Sequence, residues 1–222
     1  MTSEQDAVAA RRIVDVRFEE TRVVLELQDG RRLAAPLSWA SRAAALPKAE
    51  REAWVLVADG LGVNWPAAGQ TSAAGALEVW VLEQDALYER ALAAAKDAEW
   101  HADALTSADR ELLALWRLDA DVNNGGFLQF LGNWGVAEVG HALRALEAIG
   151  ALRSHALVTD AWNLVRPLAE SDDVNSIDDL IRALGDDGRS RLDEIDEAYW
   201  DDPDGMPRLV TLHYGPAPSA PV

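Results

Sequence analysis

The spacing of the apolar residues changes partway along the chain, and that change rules out a single repeating architecture. Up to Leu37 they alternate: Val14, Val16 and Phe18, then Val23, Leu25 and Leu27, then Leu33, Ala35 and Leu37. A period of two marks half-buried antiparallel strands. From Leu77 the period is helical, with Leu77, Val81, Tyr88, Leu92 and Ala95 on one side of a run reaching about Ala102. Small and polar residues (AAGQTSAAG) separate the two regimes. The expectation is an α+β module at 8–68, a linker at 69–75, an all-α domain at 76–214 and a flexible tail at 215–222, mainly helical overall.

Turn chemistry sharpens the first module. Asp29-Gly30 is a two-residue hairpin signal between alternating runs. Ser38 is placed to N-cap a short helix that Pro47 interrupts near Leu46, and Lys48–Trp54 adds a helical turn. A second small hairpin is expected where Trp54, Leu56, Val63 and Trp65 flank Asp59-Gly60. The order of strand, strand, Asp29-Gly30-Arg31, Pro36 with Trp39, and Gly62-Val63-Asn64-Trp65-Pro66 resembles a small bacterial α+β domain of unknown function, catalogued under number 2442. The resemblance implies a fold and no activity.

The second half centres on Asp119–Asn133. Thr106 or Ser107 caps the helix before it, whose buried face is expected to be Leu112, Leu115, Trp116 and Val122, with Asp109 and Glu111 in the first turn. Asn123, Asn124, Gly125 and Gly126 tolerate positive φ and can stop one helix and start another. Phe127 and Phe130 resume the apolar face in a helix to about Leu131, and Gly132–Gly135 is a second break. Val136–Ile149, Ser154–Leu168, Ser176–Leu184 and Asp187–Trp200 complete the helices, and the Pro-rich segment after Leu212 is expected to fray. The tryptophans read mostly as core, although Trp100, between Glu99 and His101, has no evident place.

Charge is the compositional outlier. The 222 residues carry 20 basic and 38 acidic side chains, and residues 81–222 alone hold 11 basic against 27 acidic. Such a field repels nucleic acid and anionic membranes and favours basic partners. Cysteine is absent, which excludes disulfides, thiolate metal sites and a cysteine nucleophile and fits a reducing compartment. With no apolar signal core and no membrane-length apolar run, a cytoplasmic location is expected.

Asn124-Gly125-Gly126-Phe127, Gln129-Phe130, Asn133, the run Ala145, Leu146, Ile149, Gly150, Ala151, and the acidic stretch Leu192–Trp200 together resemble the C-terminal-domain family of a bacterial DNA-mimic protein, over about residues 106–214. The resemblance implies an all-α acidic protein, the best-studied member of which imitates the charge of DNA to occupy a DNA-binding regulator.

Two roles compete for the chemistry. Gln129 and Asn133, at i,i+4, share a helix face and with Asn124 can satisfy backbone groups left open at the break. The alternative is a small-molecule or enzymatic site lined by the same amides at Asn124–Phe127. The acidic candidates for partner binding are Asp172, Asp173, Asp178, Asp179, Asp186, Asp187, Asp193, Glu194, Asp196, Glu197, Asp201 and Asp202. Of these, Asp193, Glu194, Asp196, Glu197 and Asp201 lie opposite Leu192, Ile195 and Tyr199, and Asp178 and Asp179 opposite Ile177, Leu180, Ile181 and Leu184. A solvated face accounts for such a run equally well. No catalytic residue, metal or cofactor is expected. His101, His141, His155 and His213 make no ligand spacing, and Glu138-x-x-His141 lacks the second copy that di-iron bundles require. No Gly-rich phosphate loop or nucleophile elbow is present. The leading expectation is a non-enzymatic regulator that offers acid to a basic, DNA-binding protein, without binding nucleic acid or membrane itself; a homodimer is compatible with this. A scaffold in which the first module recruits a partner is a third option.

Overall fold

The computed structural model describes residues 4–70, 75–169, 171, 173–174 and 176–215. It contains small antiparallel sheets and short helices in the first part and helices alone in the second. Two units are separable, one up to Ala86 and one from Leu87 to His213. Among the described residues no helix is long and apolar enough to cross a membrane.

In the first unit, helix α1 (Glu4–Ala10) precedes strands β1 (Ile13–Phe18), β2 (Arg22–Leu27) and β3 (Arg32–Pro36), which pair antiparallel in that order. The expected alternation fails in β1: Ile13 and Val16 are buried while Val14 is half exposed. A bulge between Ile13 and Asp15 inserts one residue and flips the face. The Asp29-Gly30 turn is longer than two residues. Leu27 N–H bonds to Arg31 O, and Gly30 (φ +81) supplies the left-handed position of a three-residue loop. Leu37–Ala40 is a 3-10 turn running into α2 (Ser41–Ala44), and Ser38 caps nothing because it lies inside that turn. Helix α3 (Lys48–Arg51) follows.

The second hairpin forms as expected, with β4 (Val55–Val57) against β5 (Gly62–Asn64), and β6 (Leu77–Glu78) extends this sheet. Leu77 is therefore a strand residue, and with Val79 and Leu82 of helix α4 (Val79–Asp97) it joins the core of Val23, Leu25 and Trp65. Most of the expected linker, 71–74, lies outside the described residues. Trp65 is 1% exposed, donates from Nε1 to Arg51 O at 2.9 Å, and meets Phe18 edge-on at 5.5 Å.

One polar group of this unit is fully enclosed. Glu83 accepts Arg11 Nε at 2.6 Å and Arg31 through its other oxygen, while Arg31 Nε holds Asp29 at 2.7 Å. Arg11 also donates to Ala7 O at 3.0 Å and lies over the Trp80 ring at 5.1 Å. Neither α1 nor this buried arginine has a signal in the apolar pattern, because the side chain that fixes Arg11 lies 72 residues away.

The second unit is built from the rest of α4 and from α5 (Ser107–Trp134), α6 (Val136–Ile149), α7 (Leu152–Ala169), α8 (Ile177–Trp200) and α9 (Met206–Tyr214). Thr106 caps α5, its Oγ1 accepting Asp109 N–H at 3.1 Å. Helix α5 packs on α6 and α8, and α7 on α6 and α8. Leu112, Leu115, Leu118, Phe127, Phe130, Leu146, Val165 and Leu192 form the centre of this layer. Gly132 is helical, so only Gly135 (φ +77) separates α5 from α6. Helix α9 was not anticipated, and it carries Met206 and Val210 into the core. The tryptophans are less buried than expected: Trp39, Trp134 and Trp200 are exposed at 36–49%, and Trp100, which had no evident place, at 53%. An indole can lie on the surface by its face while its N–H finds an acceptor, as Trp200 does with Val122 O at 2.7 Å.

Candidate functional site

The break in α5 is made by two glycines with different tasks. Gly125 is extended (φ −159), whereas Gly126 has φ +80 and ψ 179, a conformation nearly confined to glycine. The helix that restarts at Phe127 exposes its first N–H, and Asp196 from α8 accepts it at 3.0 Å. A carboxylate at a helix start satisfies an orphan donor and meets the positive end of the dipole. The approach is so close that a Cβ on Gly126 would lie 2.2 Å from Asp196 Oδ2.

The amides of the signature converge on one acid. Asp121 Oδ1 accepts Gln129 Nε2 at 2.8 Å and Asn133 Nδ2 at 2.9 Å, and Oδ2 accepts Trp134 Nε1 at 2.6 Å. Asn124 Nδ2 donates to Gln129 Oε1 at 3.2 Å. Asn123 turns back on its own helix, to Asp119 O and Oδ1. Helical spacing brings these side chains to one face, but the expected partners were backbone groups. The partner is instead a side chain that sequence reasoning missed, one turn before the break. With Gln129, Asn133 and Asn124 engaged in this way, the break is a bonded joint between helix segments.

Asp196 needs correcting as a member of the acidic surface. It is 8% exposed and serves Phe127 from inside the unit. At about 100° per residue it falls between Asp193 and the buried Tyr199, which is why the fold can draw it inward. Burial pushes its carboxyl up to about 6, opposed by the Phe127 hydrogen bond and aided by the charge of Asp193. Asp119 is pushed up to about 6 as well, by burial first and then by Asp202, against the Asn123 hydrogen bond. Burial also raises the Tyr199 hydroxyl well above its ordinary range, with Asp119, Tyr88 and Asp202 adding to the shift.

These two raised carboxyls set a pH dependence. In the folded state they hold protons that the unfolded chain releases from about 3.8 upward, so their contribution is fully present below that value and is lost as pH rises through about 6. Chemical denaturation is expected to find the protein more stable at pH 5 than at pH 7.5, on the order of 2 kcal/mol. Asp119→Asn should narrow that gap by stabilising the protein at pH 7.5. An unchanged gap in the variant would contradict the assignment.

The other acidic candidates divide by their partners. Asp172 lies outside the described residues. Asp179 accepts Arg182 at 2.7 Å and, through its N–H, bonds the capping Ser176 at the start of α8. Asp186 pairs with Arg189, and Glu194 with Arg191 at 2.7 Å. Asp202 Oδ1 accepts Met206 N–H at 2.8 Å and so starts α9. Asp204, not among the candidates, accepts Ser154 N–H at 2.7 Å near the start of α7. Asp173, Asp178, Asp187, Asp193, Glu197 and Asp201 are exposed and have no ion pair among the described residues.

Gly185 (φ +63) kinks α8, and the segment after it is strongly one-sided. Asp186, Asp187, Asp193, Glu194 and Glu197 fall within an arc of about 120° on a helical projection. Leu192, Ile195 and Tyr199 are buried on the other side. Glu138 and His141, of the Glu-x-x-His spacing, are engaged separately, by Arg117 at 2.8 Å and Arg144 at 2.7 Å. Among the described residues no three His, Cys, Asp or Glu side chains are grouped to hold a metal.

A family model described as DMP19-like protein matches residues 103–213, and one described as protein of unknown function (DUF2442) matches residues 13–77. No curated protein and no solved structure matches the chain.

Proposed function

The chain belongs to the DMP19-like family, and from that premise we propose that it is a non-enzymatic regulator whose α8 carboxylates occupy the basic groove of a DNA-binding protein. The observation that carries this reading is the one-sided acid of α8 after Gly185. From Asp186 to Glu197 a helix advances about 16 Å, so these five carboxylates average about one per 3–4 Å of axis, in two groups about 9 Å apart. A single DNA strand presents one phosphate per about 3.4 Å. Three arginines share the helix, yet they pair only with Asp179, Asp186 and Glu194. That leaves Asp187, Asp193 and Glu197 to face a partner. Carboxylates placed like phosphates steer a basic protein by long-range attraction and then exclude DNA from the same groove. The engagement of Gln129 and Asn133 by Asp121 favours this over a ligand site at the helix break.

The test is a low-salt pull-down followed by a gel shift in which the chain competes with DNA for the recovered protein. Competition is expected to weaken steeply with salt. The triple variant Asp187→Asn, Asp193→Asn, Glu197→Gln should lose about tenfold or more in competing strength, with stability changed by no more than about 0.5 kcal/mol per site because these side chains are exposed. A partner that holds DNA and this chain together, or a triple variant that competes undiminished, would refute mimicry.

A further inference from the structure

Helices α5 and α6 border an open cavity of about 300 Å³ walled by Ser107, Arg110, Glu111, His141 and Arg144. A smaller cavity of about 50 Å³ shares Arg110 and His141 with it and adds Trp100, Arg117 and Glu138. We propose that this cavity binds a small organic anion through a phosphate or carboxylate group, held by Arg110 and Arg144.

The argument starts from where positive charge is scarce. Residues 87–213 carry 25 acidic and 11 basic side chains, yet three of those arginines meet at these two cavities. Arg144 has no acidic partner among the described residues; its guanidinium donates to His141 Nδ1 at 2.7 Å. Arg110 donates to Ala102 O and stands 3.5 Å from Asp103, an acid fully open to solvent. Arg117 is neutralised by Glu138 at 2.8 Å and stacks on Trp134 at 3.9 Å. Glu111 is the one opposing carboxylate on the larger wall, and it accepts the Ser107 hydroxyl at 3.1 Å. The two arginines outnumber it, so the lining of the larger cavity is net positive within a negative unit.

Two buried donors then point to what is bound. The Nε–H groups of Arg110, which lines both cavities, and of Arg117, on the smaller one, are shielded from solvent and meet no acceptor among the described residues. A buried donor left unmade costs about 1–3 kcal/mol, which an acceptor brought into the cavity would recover. An anionic oxygen is the acceptor that arginine forks match best. Trp100 supplies a wall for an apolar body. Its N–H bonds back to Ala95 O at 2.8 Å and that of Glu99 to Lys96 O at 3.0 Å, the crossed pair that closes a helix. Glycine is usual in that turn, whereas here Glu99 (φ +50) and Trp100 (φ +65) are both left-handed. The indole, 53% exposed, is thus held at a cavity and not in the core.

The experiment titrates the full chain at constant ionic strength with orthophosphate, phenyl phosphate and benzoate, by calorimetry and by NMR of the arginine Nε–H groups. Saturable binding of one or more probes is expected, with Arg110 or Arg117 Nε–H shifts. Arg144→Gln, at an exposed position, should weaken binding about tenfold or more, and Arg189→Gln on α8 should not. Binding of phenyl phosphate but not benzoate assigns a phosphate ligand, the reverse a carboxylate, and both together the shared anion chemistry. No saturable binding up to about 10 mM, or equal weakening by Arg189→Gln, would overturn the site. The proposal is independent of the acidic face of α8, whose DNA competition Arg144→Gln should leave intact.

Discussion

Gly126→Ala is expected to destabilise the helical unit by on the order of 3–5 kcal/mol. Two costs add. The backbone at φ +80 and ψ 179 lies where residues with a Cβ are strained by about 1–3 kcal/mol. The new Cβ would also lie 2.2 Å from Asp196 Oδ2, so the carboxylate must withdraw and leave Phe127 N–H buried without an acceptor. Gly125→Ala is the control. Its Cβ would lie 2.2 Å from Gln129 Oε1, so that side chain must move and give up its bonds to Asn124 and Asp121. The φ there is not left-handed, however, and Gln129 lies partly at the surface, so the loss should be smaller. Urea denaturation of both variants decides the matter. In an Asp196→Ala background the further cost of Gly126→Ala should shrink, because the obstructing group is gone. Equal losses at Gly125 and Gly126 would show that neither the left-handed φ nor the Asp196 contact sets Gly126 apart.

Asp121→Ala should be the next most damaging, on the order of 3 kcal/mol. The residue is 9% exposed and its two oxygens take three donors. Its removal frees Gln129, Asn133 and Trp134 at once, and Gln129 also holds Asn124. Part of the loss is recovered by water, since Trp134 and Asn133 lie at the surface. Asp121→Asn should cost less, but not nothing, because its NH₂ would face a donor where Oδ1 or Oδ2 now accepts. Thermal melts with tryptophan fluorescence would follow both. A neutral Asp121→Ala would mean that the amides pack without needing the acid.

Both effects explain what the Asn-Gly-Gly-Phe string does. Its glycines and amides were visible as an unusual break, and its family was recognisable from the residues alone. Asp121 was not singled out, since an acid one turn before the break looks like any other surface charge. Asp196 was read as surface for the same reason, sitting among carboxylates that are exposed. What separates them is a neighbour distant in sequence: Phe127 for Asp196, and the turn beyond the break for Asp121.

The N-terminal unit shows the same division. Strand pairing and both hairpins follow from alternation and the Asp-Gly turns, because these act over a few residues. The bulge that flips Val14 outward is a matter of register, visible only once β1 is paired with β2. The burial of Arg11 depends on Glu83, which arrives with α4.

By itself the sequence determined the change from strands to helices, most of the helix limits and the concentration of acid near the end. Those are consequences of local period, turn chemistry and composition. Tertiary structure alone decided which carboxylates face solvent, which cap a helix and which gather donors, and it alone set Arg144 of α6 beside Arg110 and Arg117 of α5. A charged side chain has the same sequence signature in water as in a bonded interior. Only the groups that fold against it, from beyond a break or from another helix, supply or withhold the partners that separate the two.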